Sequence, residues 1–451
     1  MGTVGINFGS ASSGQGFDVA STVTAILASQ QAIETPWQTQ LTSLKAQDAV
    51  FTTLGTDLST LTTAMQSLTD FSGVFAEKQG SSSDTNVLAL TSATTGAIAG
   101  SHTVLVNQLA QTSSDYSDTV VNGGDSLSGS VTIQGHTITV DSTSNTLSSL
   151  ASAINAAGIG VNASIITDSS GSRLSVVSGT SGSAGQLTIT SALTDATTST
   201  AIGFNTGQTG QDASLKVDGV TLSSGSNTVT TAIPGVTFQL LSTSASPVQV
   251  QITNNTSDVE TAMTSVVNAY NAVIKDINGQ EGNDSSGNAE PLFGSTTLAL
   301  LQNQLSSALI GGAASGSINS ITQLGIGFNQ DGTLTLNGDT LDNALNNNFS
   351  DVTGFLQNSG SFGQSFVTTL NNLGTQAPNG AIYLAQQQNS AQEAALNLSI
   401  SNEDALLATE KTNLTTELNT ANEILQAIPS QLSEINEMYS AVTGYNTGNG
   451  G

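Results

Sequence analysis

Phe51, Leu54, Leu58, Leu61, Met65 and Leu68 fall at alternating steps of three and four residues. That spacing keeps large apolar side chains on one stripe of an α-helix and makes the a/d seam of a coiled coil. Trp37 and Leu44 carry one row backwards, while Gln40 and Gln47 place polar layers in the other. Thr35 and Pro36 predict where the helix starts: Thr35 as N-cap, Pro36 as first helical residue, and Gln38 completing a T-x-x-Q capping box. Such a helix is about 50 Å long. Upstream, Asp18 predicts the cap of a shorter helix that carries Val19, Val23 and Ile26/Leu27 on one face. Burying one seam does not offset the cost of ordering a solitary helix of this length. A partner must close it: the C-terminal helix, a second copy, or another protein.

The far end of the chain has the same texture. Across 382–442, Leu407, Leu414, Leu418, Ala421, Leu425, Ile428, Leu432, Ile435 and Tyr439 again follow heptad steps. Pro429 is expected to kink or break that helix. Between the two helical ends lies a β-type middle, with short runs at 86–91, 101–108, 130–140, 161–166, 173–177, 186–190, 213–217, 236–241 and 248–253. Gln134-Gly135 and Asp218-Gly219 read as hairpin turns, and 80–84 as loop. One helix is expected within this region at 148–157, with Leu150, Ile154 and Ala157 facing inward. Helical periodicity returns at 259–277, 296–309, 341–345 and 362–373, and a hairpin joins GIGF to TLTL through 329–332. The order is palindromic: loose end, heptad helix, β-rich middle, helices, heptad helix, loose end. Because consecutive elements pack locally, the two ends are expected to be neighbours, with independent helical ends as the alternative.

Composition excludes several functions. The 33 acidic residues outweigh six basic ones, Lys45, Lys78, Arg173, Lys216, Lys275 and Lys411, which are scattered and form no patch. Nucleic-acid binding needs clustered cations and is excluded, as is binding to anionic membranes. No apolar run approaches a membrane span, so membrane insertion is not expected. With no cysteine there are no disulfides or thiolate metal sites. The first residues lack the basic and apolar regions of a secretory signal, yet the Ser/Thr-rich, acidic texture suits an extracellular protein.

No catalytic constellation is visible, and neither a catalytic residue, a metal nor a cofactor is expected. His102 and His136 lie in strand patterns with no neighbouring Cys or paired carboxylate, and read as surface histidines. Asp331-Gly332 is a turn, since no EF-hand spacing follows it. There is no P-loop, dinucleotide fingerprint or nucleophile elbow.

Read together, the segments resemble the flagellar filament-capping family, hook-associated protein 2 (FliD). Gly16-Phe17-Asp18-Val19 leading to Pro36-Trp37 is similar to the family's start, and GSHTVLVNQLAQTSS (100–114) to one of its strands. DASLKVDGVTL (212–222), VVNAYNAVIKDI (266–277) and ITQLGIGFNQDGTLTLNGDTLDNALNNN (321–348) match further family segments in order. LSSLASAINAAGIGVNASII (147–166) resembles the IN motif shared with flagellins and hook proteins. His102 stands where the family often has an aromatic, and the C-terminal helix is poorer in Arg than is usual there.

The resemblance implies an α+β multidomain fold with coiled-coil-like helices at both termini, a helical leg domain and two nested β-rich head domains. In this chain that places a loose leader and short helix at 1–35, the heptad helix at 36–72 and a linker with a connecting strand at 73–96. One β domain would combine 97–125 with 208–256, with 126–207 inserted as the other. A helical domain with a β-hairpin at 257–381 and the C-terminal heptad helix and tail at 382–451 complete it. It further implies a homo-oligomeric ring at the filament tip that retains exported flagellin and promotes its folding. Implied partners are flagellin, hook–filament junction proteins, the type III export apparatus and an export chaperone at the C-terminal helix. The docking seam would comprise Val19, Val23, Leu27, Trp37, Leu44, Phe51, Leu54, Leu58, Leu61, Met65, Leu68, Leu414, Leu418, Leu425, Ile428, Leu432 and Ile435. An extracellular adhesin or another flagellar axial protein is the alternative.

Overall fold

The computed structural model describes residues 16–311 and 313–444. The expectations for the leader before Gly16 and the tail after Gly444 lie outside these residues. The helices are α1 (Val19–Gln31), α2 (Glu34–Thr69), α3 (Leu147–Ala156), α4 (Thr256–Gly279), α5 (Thr296–Ile310), α6 (Gly338–Gln357), α7 (Phe362–Leu373) and α8 (Ala381–Thr443). The chain forms two units, Met1–Gln66 with Met263–Gly451, and Ser67–Ala262.

In the helical unit, the α2 seam faces inward. Phe51, Leu54, Leu58, Leu61 and Met65 are all buried. Met65 lines one apolar cavity together with Met263, Val266 and Tyr270 of α4 and Phe362 and Phe366 of α7. Gly55 permits a close approach within the helix, since a Cβ there would sit 2.6 Å from Thr375 Cγ2. The seam partner is therefore this chain itself. Helix α2 begins at Glu34, ahead of the expected Thr35 cap. Thr35 N–H donates to the Ala32 carbonyl, and Gln38 turns to the Glu34 side chain instead of closing a capping box. Pro36, the third residue of α2, is tolerated within the first turn because the first N–H groups have no intrahelical acceptor. Helix α6 runs well beyond the short element expected at 341–345, with a kink at Asn348 (φ −137°, ψ 35°). Helix α8 continues through Pro429, contrary to the expected break.

The β-rich unit uses β1 (Lys78–Ser82), β2 (Leu88–Ala93), β3 (Gly100–Gln108), β4 (Thr112–Ser117), β5 (Leu127–Ser128) and β6 (Ser130–Ile133). It continues with β7 (His136–Thr139), β8 (Val161–Asp168), β9 (Gly171–Ser181), β10 (Ile189–Ser191), β11 (Leu193–Asp195) and β12 (Thr200–Ile202). The remainder are β13 (Phe204–Gln208), β14 (Ala213–Val217), β15 (Val220–Ser224), β16 (Thr228–Ile233), β17 (Val236–Leu240) and β18 (Val248–Asn254). Strands β19 (Ile326–Phe328) and β20 (Leu334–Leu336) form the expected hairpin of the helical unit.

Two cores share the β-rich unit. The first lies between the sheets β1-β18-β3-β14-β15 and β16-β17-β2, with Val104, Leu215, Val250 and Phe238 at its centre. The second gathers β13-β4-β9-β8, two three-stranded sheets and α3, around Leu150, Ile154, Leu174 and Val176. On α3, Ala151 is buried where Ala157 was expected, and Ala157 is exposed. The chain leaves the first core and returns to it at one point, where Gln111 and Gln211 form an antiparallel bridge. Strand β4 and Val120 thus belong to the second core, so residues 112–125 lie with the insert and not with the outer β domain. The alternation in TSSDYS is polar on both faces, so only its pairing with β9 and β13 reveals it as a strand. Likewise β1, partly read as loop, pairs with β18 through KQGSS. Both predicted hairpins are present: Gln134-Gly135 at φ 53° and 81°, and Asp218-Gly219 at φ 47° and 87°. These are the positive dihedrals that a two-residue type I′ turn requires.

Candidate assembly interface

The terminal helices meet, as the palindromic order implies. Helix α1 lies along α8, capped by Asp18, whose carboxylate accepts from Ser21 N–H. Phe17 N–H donates to Asn422 Oδ1 at 2.9 Å, and Gln30 Nε2 to Glu410 Oε1 at 2.9 Å. Those two bonds fix an antiparallel register. Further along, Asn389 Nδ2 of α8 donates to Asp48 Oδ1 of α2 at 2.8 Å, and Gln386 Nε2 to Thr52 Oγ1 at 3.2 Å.

The predicted seam divides by exposure. Val19, Val23, Leu44, Phe51, Leu54, Leu58, Leu61, Met65 and Leu68 are buried within the chain. Leu27, Trp37, Leu414, Leu418, Leu425 and Ile428 are half-buried. Leu432 and Ile435 are open to solvent, at 47% and 56% exposure, and Ile424, Met438, Tyr439 and Val442 join them. This apolar stripe lies on the last turns of α8, beyond the Phe17–Asn422 contact. A helix face of that kind is covered when a partner is present.

Electrostatics add features that sequence reading missed. Glu34, at the start of α2, is buried, and its carboxyl is raised above the usual range by burial first and by the charge of Asp404 of α8 second. Asp57 of α2 is pushed up to about 6, by burial and then by a shared hydrogen bond with Asp276 of α4. In the β-rich unit, His102 Nδ1 lies 2.7 Å from Asp218 Oδ2, so this histidine has the carboxylate partner that the sequence did not reveal. The partner is 116 residues away and arrives only through the β14–β15 turn. The hydrogen bond from His102, followed by Thr103 N–H, lowers the Asp218 carboxyl. Among the described residues no group of three His, Cys, Asp or Glu side chains is arranged to hold a metal. Among the described residues no helix is long and apolar enough to cross a membrane.

Comparison with known proteins points one way. The family profile for the flagellar hook-associated protein 2 C-terminus matches residues 210–442, and that for its N-terminus matches 15–113. The flagellar hook-associated protein 2 of Escherichia coli K12 is 31% identical over 372 residues, 75% of this chain and 78% of that one. The B-type flagellar hook-associated protein 2 of Pseudomonas aeruginosa is 31% identical over 334 residues, 66% of this chain and 69% of its own. The crystal structure of the flagellar cap protein FliD D1-D2-D3 domains from E. coli superposes with a TM-score of 0.57 at 28% identity. It covers 76% of this chain and 99% of that one.

Proposed function

The chain belongs to the flagellar hook-associated protein 2 family, the flagellar filament caps, and we propose that it docks on the filament through the open stripe of α8. In this reading a ring of copies sits at the filament tip, keeps exported flagellin from escaping and gives each subunit a sheltered place to fold. The work is physical. A ring of fixed copy number does not match every position of a helical lattice, so some docking contacts stay unsatisfied and are exchanged as each flagellin inserts.

The observation that carries the reading is the position of Leu432 and Ile435, exposed on a helix whose neighbouring turns are held by α1. Buried members of the seam, Leu58 and Leu61 among them, support docking indirectly by holding α2 inside the helical unit. Delivery through the type III export channel, with a chaperone on α8 and contact with hook–filament junction proteins, completes the proposal. A chain without cysteine brings no disulfide to obstruct threading.

The test is a double substitution, Leu432→Asp with Ile435→Asp, in cells lacking the native gene. Burial is not disturbed, so the secreted protein is expected to keep its circular dichroism and melting profile. Filaments are expected to fail, with monomeric flagellin in the medium. Normal filaments from this variant would remove the α8 stripe from the docking surface.

A further inference from the structure

In the helical unit, α5 and the start of α8 border two open cavities of about 500 and 450 Å³. The cavities share Thr297, Ala385 and Gln388, so they form one groove. Its lining on α8 runs from Ala381 to Gln392, about 16 Å at 1.5 Å per residue. Helix α2 contributes Gln40, Leu44 and Phe51 to the larger cavity.

None of the side chains lining the groove is ionisable, although the chain carries 33 acidic residues and a net charge of −27. The polar lining is amide and hydroxyl instead. Gln40, Gln304, Gln388 and Gln392 are exposed, and among the described residues none of the four has a hydrogen-bond partner. Apolar groups line the groove at two depths. Leu44, Phe51 and Leu292 are buried, while Phe293, Leu300 and Leu384 are 56%, 43% and 53% exposed.

A primary amide offers both an acceptor and donors, so it matches the C=O and N–H of an extended backbone whatever side chains that backbone carries. Asn155 and Asn271 already hold Ala163 and Leu334 of this chain in that way. Charge selects further. An acidic segment brings like charge toward an acidic molecule, and a basic one finds no carboxylate in the lining to pair with. A neutral segment meets neither obstacle. Successive side chains of an extended chain point to opposite sides, so every second one reaches the apolar lining, and about five residues span the length of the groove.

We propose that this groove holds an unfolded polypeptide: a neutral, extended segment with an apolar residue at alternate positions, gripped by its backbone. Amide-to-backbone hydrogen bonds hold the segment, and Phe293, Leu300 and Leu384 receive its apolar side chains. Only the purpose of the groove rests on the capping function proposed above, where the segment belongs to an exported subunit that has not yet folded. Backbone reading tolerates many sequences, which suits a contact made with each arriving subunit and then released.

The test uses the full chain with its glutamine side chains labelled with nitrogen-15, titrated with the end-capped peptide Ser-Val-Thr-Leu-Asn-Val-Thr-Ser. The Gln388 and Gln392 amide resonances, assigned by substitution, are expected to shift and to saturate. Two relatives of the peptide are expected to bind about tenfold more weakly or worse. One is N-methylated along its backbone, which keeps the side chains and removes the donors; the other carries Asp at its three inner polar positions. Gln388→Leu with Gln392→Leu is expected to weaken the neutral peptide by a similar factor, read from the Gln40 and Gln304 amides, with an unchanged melting profile. Gln387→Leu, on the same helix but outside the groove, is expected to leave binding as it is. Resonances that stay in place at millimolar neutral peptide, or equal binding of the N-methylated peptide, overturn the proposal. Preference for maltohexaose over the peptide assigns the groove to a sugar, and self-association in sedimentation that the double substitution abolishes assigns it to a second copy; either result also overturns it. Filament growth by the Leu432→Asp, Ile435→Asp chain is scored separately, so failure of the groove is distinguishable from failure of the docking stripe.

Discussion

Among the described residues, Asn155, Asn227 and Asn271 each use their side-chain amide to pair with both backbone groups of one distant residue. Asn155, the second residue of the IN motif, accepts from Ala163 N–H at 2.7 Å and donates to the Ala163 carbonyl at 2.8 Å. Asn227 does the same for Ala110, and Asn271 of α4 for Leu334. Each amide satisfies one backbone donor and one acceptor, so it pins an element to a strand without adding another strand. The preceding Ile154 is fully buried, which makes the dipeptide one core anchor and one clamp. Asn155→Ala leaves a backbone N–H and C=O of β8 unpaired, and unmade bonds of this kind cost about 1–3 kcal/mol. Urea denaturation of the purified chain is expected to show that loss in the transition that unfolds the second core. A change below about 0.5 kcal/mol, the level of a neutral surface substitution, would mean that water serves Ala163 equally well.

Elements differed in how readily they could be read. Helices α1, α2, α4, α5, α7 and α8 announce themselves because each packs one apolar stripe, and a stripe is a local property of sequence. Strands β1 and β4 do not, since KQGSS and TSSDYS carry no apolar alternation and owe their conformation to partners about sixty residues away or more. The same limit hid His102–Asp218, whose members meet only after folding. The exposed stripe of α8 is legible as heptad residues, but which members stay open depends on the packing of α1 and the core of the helical unit. Pro429 marks where local rules mislead in the other direction. Proline inside a helix forfeits one hydrogen bond and crowds the preceding turn, at about 3 kcal/mol, yet α8 runs through it to Thr443. The last turns therefore stand on a weakened base. Pro429→Ala is expected to slow amide exchange across 430–443 by tenfold or more, an order of magnitude corresponding to about 1.4 kcal/mol of the proline cost. Exchange that stays unchanged would show that neighbouring turns already absorb the proline.

At the scale of the whole molecule, the path through the β-rich unit decides what can be separated from what. Both crossings between its cores lie at the Gln111–Gln211 bridge, where each backbone N–H donates to the other residue's carbonyl at 2.8 and 3.2 Å. Paired residues across an antiparallel ladder sit about 5 Å apart, so removing 112–210 leaves ends that a few glycines can join. The first core keeps all its members, since Val104, Val106, Ala110, Ala213 and Leu215 lie outside the excised stretch. What is lost on its surface is polar: Ser181 Oγ to the Gly225 carbonyl, and Ser183 to Asp212. These contacts are exposed, and exposed hydrogen bonds contribute little net stability. The shortened chain is therefore expected to fold, with a cooperative melting transition for the remaining β core within about 5 °C of its value in the intact protein, the shift that roughly 1 kcal/mol makes in a domain of this size. Differential scanning calorimetry of the two chains measures it. A shortened chain that aggregates or melts without cooperativity would mean that the outer core needs the insert to fold, and that the two β assemblies are one domain wound twice.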